Sequence, residues 1–267
     1  MNISKKYNML YPPMVQRIFD EEKDLKAVKT RLHQLYGAYL RETSHKKTEA
    51  LLSLINPAPE PQEEIPGQTQ NPITAILALH ASTRERLHYL SDLCRFIIEC
   101  VGDIDSILDL GCGYNPFTLS WWPINKLSFY YAYDIDTRTA ELLNSFFALM
   151  NLPQTAYCMD LALNTPAEKA DLTLMYKLIP VLESQIPGRG YALACEINTR
   201  FLVITYPLKS LGGKMKGMER NYSNAFSKAY EEGLLEGMGL IGERRIGDEL
   251  VYVLAKNEML ANGGNDK

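Results

Sequence analysis

The sequence predicts an α/β fold, in which a doubly wound, mostly parallel sheet follows a small helical region. From residue 104 onward, apolar segments of about four to eight residues alternate with helix-length stretches, which is typical of parallel strands covered on both faces. Before residue 56, apolar residues recur at helical spacing instead. A hydrophobic fraction of 46% is ample for the buried core that such a fold needs.

Residues 1–55 are predicted to form a helical domain. Three sets of apolar residues recur at helical spacing: Val15, Ile18 and Phe19; Val28, Leu32, Leu35 and Tyr36; and Leu51, Leu52 and Ile55. Residues 1–50 carry 10 Lys and Arg against 6 Asp and Glu, although the whole chain has a net charge of −4. Such asymmetry can steer a polyanion, but a solvated helical face explains it equally well.

A linker or long loop is predicted over residues 56–72, which contain five prolines and almost no large apolar side chain. The rest of the chain, 73–267, is then a second domain. It opens with helical patterns, and Ser82 followed by Glu85 resembles a capping box, which predicts a helix beginning near Thr83.

The strands of the second domain are predicted at six apolar segments: SILDLG, FYYAYDI, AYCMD, DLTLMYKL, RFLVITYP and DELVYVLA. The last segment follows RRIG without room for a full crossover, so its pairing is expected to be antiparallel. Ligands of such folds bind at the carboxyl ends of the strands.

The first predicted strand ends in a glycine-containing turn, DLGCGYNP, that starts at Asp109. Glycines let the backbone turn sharply and approach a ligand closely. A dinucleotide fingerprint would need a third glycine where Pro116 stands, so a nicotinamide site is disfavoured. The motif suits S-adenosylmethionine (SAM) better, because SAM carries no phosphate. A plain strand-to-helix turn remains the alternative.

The next two strand ends carry acidic residues. Asp134 and Asp136 follow the second strand, and one of them is expected to cap the next helix while the other accepts both hydroxyls of a ribose. Asp160 follows the third strand, where it could accept from an adenine amino group while Leu161 packs on the ring. Three such strand ends together favour a SAM pocket.

A basic segment follows the fifth predicted strand, and we predict it to be a mobile loop over residues 206–222. Lys209, Lys214 and Lys216 would meet a phosphate backbone, and Met218 could contact an unstacked base. A solvated loop without a partner is the alternative interpretation.

Several other classes of protein are disfavoured. The five cysteines have no CxxC spacing and the four histidines have no metal-ligand spacing, which argues against disulfides and a metal site and favours a reducing cytoplasm. No apolar run approaches the ~18 residues of a membrane helix, and the first residues lack the apolar stretch of a signal peptide.

The motifs LHASTRERL, DLGCGYNP, YDID, KLIPVLE and YPLKSLGGKMKGMERNY resemble the aminoglycoside-resistance 16S rRNA methyltransferases of the Arm/Rmt type, over nearly the whole chain. The resemblance implies a Rossmann-like class I SAM-dependent methyltransferase domain with a seven-stranded sheet. It also implies methyl transfer from SAM to N7 of a decoding-site guanine in the assembled 30S subunit, which blocks aminoglycosides, and a cytoplasmic enzyme that we expect to be a monomer.

Site residues are also implied, position by position. Cofactor contacts fall on Tyr39, His80, Ala81, Ser82, Arg86, Gly111, Asp134, Asp160, Leu161, Tyr176 and Gln185. In this set Arg86 would pair with the carboxylate of SAM, and Tyr39 would close over the cofactor from the helical domain. Contacts to rRNA fall on Lys6, Lys29, Arg31, Lys209, Lys214 and Met218. No general base is implied.

Three other functions stay open at this point. The first is a SAM-dependent methyltransferase that acts on another RNA or on a small molecule, which the lysine-rich segment disfavours. The second is a nucleotide-binding oxidoreductase, which Pro116 disfavours. The third is a ribosome-binding factor without activity, against which the motif residues Gly111, Asp134 and Asp160 argue.

Overall fold

The amino-terminal part of the chain is helical in the computed structural model. The structure describes residues 7–37, 39, 43–55, 71–209 and 217–257. Three helices come first: α1 (Pro12–Glu22), α2 (Leu25–Leu32), which a π-helical turn (His33–Gly37) extends, and α3 (Ser44–Leu52). The ring of Pro12 suits the first turn of α1, and the side chain of Asp24 caps α2 by accepting from the amide of Ala27.

Three further helices follow, and the second and third depart from the predicted pattern. They are α4 (Pro72–Leu77), α5 (Ala81–Arg86) and α6 (Leu90–Val101). The predicted capping box is wrong, because α5 begins at Ala81 and Ser82 already lies in its first turn. The single predicted helix is two helices, since a turn over residues 87–89 separates α5 from α6.

The sheet has seven strands in the order β3-β2-β1-β4-β5-β7-β6. Their bounds are β1 (Ser106–Leu110), β2 (Phe129–Asp134), β3 (Ala156–Cys158), β4 (Lys169–Tyr176), β5 (Asn198–Pro207), β6 (Met238–Ile246) and β7 (Glu249–Lys256). The first five strands are parallel, and β7 is antiparallel to both neighbours, as predicted. The polar edge strand β6 was not among the apolar segments.

Helices cover both faces of the sheet: α7 (Thr137–Leu149) joins α6 on one face, and α8 (Leu178–Glu183), α9 (Arg189–Glu196) and α10 (Met218–Glu231) lie on the other. Alternate residues of β1 therefore enter different cores, Ile107 the first and Leu108 the second. This arrangement confirms the doubly wound fold that the apolar segments predict.

The amino-terminal helices share a core with the sheet domain. Met14 of α1 and Leu32 of α2 belong to the same apolar cluster as Phe146 and Phe147 of α7, and all four are essentially fully buried. Burial of each such side chain contributes roughly 1.5–3 kcal/mol, so these helices are held firmly against the sheet domain.

Two predicted segments lie partly outside the described residues. The predicted linker includes 56–70, which are not described, and its last residue, Pro72, begins α4. The predicted basic loop includes 210–216, which are not described either, but its end is helical, because α10 begins at Met218. Among the described helices, none has the length and apolarity to cross a lipid bilayer.

Candidate functional site

A cavity lies at the carboxyl ends of β1 to β4, beneath the amino-terminal helices. Strand register creates it, because Leu110 pairs with Tyr133 and Asp134 pairs with Cys158, so the ends of β1, β2 and β3 are adjacent. The helical region contributes Met14, Leu35, Tyr36 and Tyr39 to the lining, and the strand ends contribute Gly111, Asp134, Asp160 and Lys177. The three strand ends that the sequence singled out therefore meet at one site.

The turn after β1 brings the backbone directly to the cavity. Gly111 has φ +66° and Gly113 has φ +49°, which are conformations that side chains with a Cβ rarely adopt. A Cβ on Gly113 would stand 2.8 Å from Nε2 of His80, and one on Gly111 would stand 2.9 Å from Cδ1 of Leu178. Both glycines are therefore required for the turn and for the space around it.

Gly113→Ala is expected to destabilise the protein more than Gly188→Ala. Both positions have positive φ, at +49° and +84°, so each substitution costs about 1–2 kcal/mol of backbone strain. Only at Gly113 must the ring of His80 also move, which adds about 1–3 kcal/mol, since a Cβ at Gly188 would meet no neighbouring atom within 4 Å. Urea unfolding of both variants measures the difference; equal losses would show that His80 moves freely.

The two carboxylates after β2, Asp134 and Asp136, have different partners. Asp136 is the N-cap of α7 and accepts from the amides of Arg138 and Thr139, which bears out the expectation that one of the pair caps a helix. Its other oxygen lies 2.7 Å from the hydroxyl of Tyr36 and 2.7 Å from Nε2 of His45. The helical region is thus tied to the end of β2.

Asp134 faces the cavity. One of its oxygens accepts from the amide of Gly113 at 2.7 Å, and the other accepts from the amide of Ile135 at 2.7 Å. Burial raises the pKa of Asp134 to about 6, although these amides oppose that shift. Its position and its acceptor oxygens make it the candidate for a ligand's hydroxyls.

Asp109 lies behind the turn, 1% exposed, and also lines the cavity. It accepts from Nδ2 of Asn115 at 2.8 Å and from the hydroxyl of Tyr130 at 2.7 Å. Burial raises the pKa of Asp109 to about 6 from its usual value of 3.8, although both donors oppose that shift. Asp109 thus fixes the start of the short 3-10 helix (Asn115–Trp121) that follows the turn.

Asp109→Asn is expected to reduce the pH dependence of stability. Between about pH 4 and pH 6, Asp109 is protonated in the folded protein but ionised in the unfolded chain. This carboxyl therefore lowers the free energy of unfolding as pH rises through that window, and the loss persists above it. The free energy of unfolding of the variant should exceed that of the wild type by up to about 3 kcal/mol near pH 8 and by little near pH 4. Urea unfolding at both pH values measures this.

The matched control for that prediction is Asp171→Asn, at the opposite end of the sheet. Burial would raise the pKa of Asp171, but the Asp105 amide and Arg200 outweigh it and hold that pKa below its usual value. The control should therefore lose stability near pH 8 instead of gaining it. Parallel stability curves for the wild type and Asp109→Asn would contradict the assignment.

Asp160, after β3, already has a cationic partner. Nε and Nη2 of Arg17 reach its two oxygens at 2.7 and 3.3 Å, and the amide of Ala162 donates to Oδ1 at 3.1 Å. Nη2 of Arg17 also donates to Oε1 of Gln185 at 2.9 Å. Helix α1 therefore contacts two residues that line the cavity.

A buried ion cluster forms the opposite wall. Nε of Arg86 donates to Oε1 of Glu249 at 2.8 Å, and Nζ of Lys177 lies 3.3 Å from the same oxygen. Burial alone would raise the pKa of Glu249, but Arg86 and Lys177 outweigh it and hold the pKa below its usual value. Arg86 also donates to the hydroxyl of Ser82 at 3.3 Å and lies over the ring of Tyr176.

His80 forms the floor of the cavity as a neutral ring. It stacks between Tyr39 and Tyr114, with ring centroids 5.9 and 5.4 Å apart. Burial first, and then the charges of Arg86 and Arg84, lower the pKa of His80 to about 3.

Three polar atoms in the cavity wall are buried without a hydrogen-bond partner: Nδ1 of His80, Oδ1 of Asn115 and the hydroxyl of Tyr176. Such groups cost free energy unless something pairs with them. A ligand with amino, carboxyl and hydroxyl groups, which SAM has, fits this wall.

The structure brings together nearly all the cofactor positions that the sequence singled out. Tyr39, His80, Ser82, Arg86, Gly111, Asp134, Asp160, Leu161, Tyr176 and Gln185 line the cavity, and Ala81 does not. The amide of Ala81 instead donates to the carbonyl of Tyr39 at 2.9 Å. Arg17 and Lys177 were not singled out, because no local pattern distinguishes them from the other basic residues.

A wider groove continues from the cavity. Tyr39, Ser82, Lys177 and Gln185 belong to both, and the groove extends to Lys26, Arg31, Lys209, Met218 and Tyr222. Three of the predicted rRNA contacts, Arg31, Lys209 and Met218, are therefore in this groove, whereas Lys29 lies outside it. Lys6, Lys214 and Lys216 lie outside the described residues.

Two basic residues of the groove, Lys209 and Arg31, are paired with acids. Nζ of Lys209 lies 2.7 Å from Asp248, and Nη1 of Arg31 lies 2.7 Å from Glu22. Both pairs are partly exposed, so each contributes at most about 1 kcal/mol and can be exchanged for contacts to a polyanion.

The strand order, the antiparallel β7 and the cavity at the carboxyl edge define a class I SAM-dependent methyltransferase. A family model described as ribosomal RNA methyltransferase (FmrO) matches residues 4–253, and the chain belongs to this family.

Individual relatives agree with this assignment. A 16S rRNA (guanine(1405)-N(7))-methyltransferase of Serratia marcescens is 34% identical over 95% of each chain. One of Micromonospora echinospora is 30% identical over 95% of this chain and 93% of the relative. The crystal structure of 16S rRNA methyltransferase RmtF in complex with S-adenosyl-L-homocysteine matches with a TM-score of 0.80 and 32% identity, over 95% of this chain and 94% of that one.

Proposed function

We propose that this protein transfers a methyl group from SAM to N7 of guanine 1405 in 16S rRNA, the reaction of its relatives. One observation carries the proposal: the cavity that fits SAM opens into a groove with basic residues, and the two share Tyr39 and Lys177. The methyl donor and a nucleotide that enters from the groove can therefore meet. Methylation at this site blocks aminoglycosides that bind there, so the protein confers resistance to them.

The cavity offers partners for each part of SAM. Asp134 accepts from the ribose hydroxyls, and Asp160 with Leu161 contacts the adenine. Arg86 and Ser82 face the methionine end, and the orphaned atoms of His80 and Tyr176 find partners there. Gly111 allows the close backbone approach that this arrangement needs.

The chain's own contribution to the chemistry is positioning. Bound SAM supplies a methyl group that its sulfonium already activates. Guanine N7 has a free lone pair at neutral pH, so no side chain has to remove a proton before attack. Correct alignment of the reacting atoms can lower the barrier by up to ~7–11 kcal/mol. We therefore assign no general base, and the neutral ring of His80 packs against the pocket rather than exchanging protons.

The groove supports binding to the assembled 30S subunit. N7 is obstructed inside an intact RNA helix, so the guanine has to be displaced into the site at a cost of a few kcal/mol. Contacts of Arg31 and Lys209 with phosphates offset this cost, because both residues can exchange their acidic partners for the rRNA backbone. Lys6, Lys29, Lys214 and Lys216 are further rRNA contacts in this proposal, and the protein acts on ribosomes in the cytoplasm as a monomer.

The test is a methylation assay with labelled SAM on 30S subunits, free 16S rRNA and 70S ribosomes, followed by reverse transcription to locate the modified base. We expect label in 30S subunits, at guanine 1405. A matched 30S control carrying adenine at that position should take up no label. Label at another nucleotide, or only in another RNA or a small molecule, would contradict the proposal.

A further inference from the structure

Among the residues that the structure describes, Arg17 is the one side chain of α1 with hydrogen bonds to residues of the cofactor cavity. Its side chain is 11% exposed, and its guanidinium contacts Asp160 at 2.7 and 3.3 Å, Gln185 at 2.9 Å and Glu21 at 2.9 Å. Asp160 is only 6% exposed. A fork of donors that meets both oxygens of a carboxylate fixes its orientation.

The position of Arg17 is itself fixed by backbone contacts. The amide of Tyr11, just before α1, donates to the carbonyl of Ile135 at 2.8 Å, and the amide of Thr137 donates to the carbonyl of Met9 at 2.8 Å. Ile18, the next residue of α1, is fully buried. Helix α1 is therefore anchored to the sheet domain independently of Arg17, and a substitution at Arg17 need not displace the helix.

Arg17 also fixes the amide of Gln185. Its donation to Oε1 determines which way the amide points, and Nε2 of Gln185 then donates to the carbonyl of Val181 at 3.3 Å. Asp160 and Gln185 both line the cavity, and neither has freedom to turn while Arg17 holds them. Preorganised polar groups recognise a ligand more selectively than mobile ones.

We propose that Arg17 is a positioning residue that sets the selectivity of the cofactor pocket for the 6-amino group of adenine, through Asp160 and Gln185. This rests on the SAM binding in the proposed function. A carboxylate offers only acceptors, so it accepts from an amino group and repels a carbonyl oxygen at the same place. Arg17 holds Asp160 in this orientation, and the amino-terminal helices thereby take part in choosing the cofactor.

The test compares S-adenosylhomocysteine with S-inosylhomocysteine, which has a carbonyl in place of the amino group, by calorimetry without ribosomes. The wild type should prefer the adenosine compound. In Arg17→Met, the affinity for S-adenosylhomocysteine should fall at least about tenfold, and the affinity for S-inosylhomocysteine should change by less than about threefold. The preference for the adenosine compound therefore falls. Arg17→Lys, which keeps a donor, should recover part of the preference. Glu21→Gln, the control, removes an exposed partner of Arg17 and should leave both affinities unchanged.

Each outcome decides the question. If the affinities for both compounds fall equally in Arg17→Met, or if the preference is unchanged, the role of Arg17 is merely structural and the inference is overturned. The melting temperature of Arg17→Met shows whether this variant folds. If it does not, the affinities of Arg17→Lys for the two compounds are compared with those of the wild type instead. Failure of the wild type to bind S-adenosylhomocysteine would instead refute the proposed function, and the inference with it.

Discussion

Asp134→Ala is expected to weaken SAM binding by about a hundredfold while leaving affinity for the 30S subunit nearly unchanged. The substitution removes both acceptors at the end of β2, and hydrogen bonds to a charged group are each worth about 1.5–3 kcal/mol. It also frees the amide of Gly113, which Asp134 holds at 2.7 Å, so the turn after β1 loses its tie to β2. Calorimetry with SAM and a filter-binding assay with 30S subunits measure the two affinities.

Two further variants separate these effects. Asp134→Asn keeps one acceptor oxygen for the amide of Gly113, so it should retain the turn and lose only part of the SAM affinity. Asp171→Ala removes a carboxylate near the amino end of β4, where it pairs with Arg200, and should not change SAM affinity. Unchanged SAM binding in Asp134→Ala would refute the ribose assignment.

Local patterns in the sequence were sufficient to predict the strand ends that form the cavity. The strands buried on both faces are mostly apolar, and a glycine or an acid marks the end of each of the first three, at Gly111, Asp134 and Asp160. Because parallel strands place their carboxyl ends together, three local signals predict one site. The alternation of strands and helices predicts the layers in the same way.

Contacts between distant residues explain what the sequence did not predict. The turn between α5 and α6 lets both Arg86 and Tyr89 reach Glu249, which is about 160 residues away in sequence. The pairing of Arg17 with Asp160 spans a similar separation. Glu249 and Arg17 carry no local signal, so the broken helix and the cation at the adenine end became visible only in the fold.

Contacts between distant residues also join the predicted helical domain to the sheet domain. Periodicity predicts three amphipathic helices before residue 56 but does not tell what covers their apolar faces. In the structure these faces join the core of α7, and Tyr36 binds Asp136 beside the cavity. The helical region is therefore a wall of the cofactor site as well as a candidate surface for rRNA.

Lys209→Glu combined with Lys214→Glu is expected to reduce methylation of 30S subunits by at least about a hundredfold, with SAM affinity unchanged. Lys209 lies in the groove beside the cavity and Lys214 follows it in the basic sequence, and the proposed function assigns both to rRNA phosphates, which a reversed charge would repel. Lys209 does not line the SAM cavity. Methylation rates at several 30S concentrations, with calorimetry for SAM, measure the effect.

Salt dependence distinguishes phosphate contacts from a general loss of structure. Each phosphate that the protein neutralises contributes about 0.7–0.9 to the slope of log affinity against log salt concentration, so the double variant should lower that slope by about 1.4–1.8. Asp248→Asn is the matched control, because it removes the 2.7 Å ion pair of Lys209 and keeps the lysine. This variant should bind 30S subunits at least as tightly as the wild type, since Lys209 no longer has to leave an acidic partner. A slope that the double variant does not change would mean that these lysines do not contact the rRNA backbone.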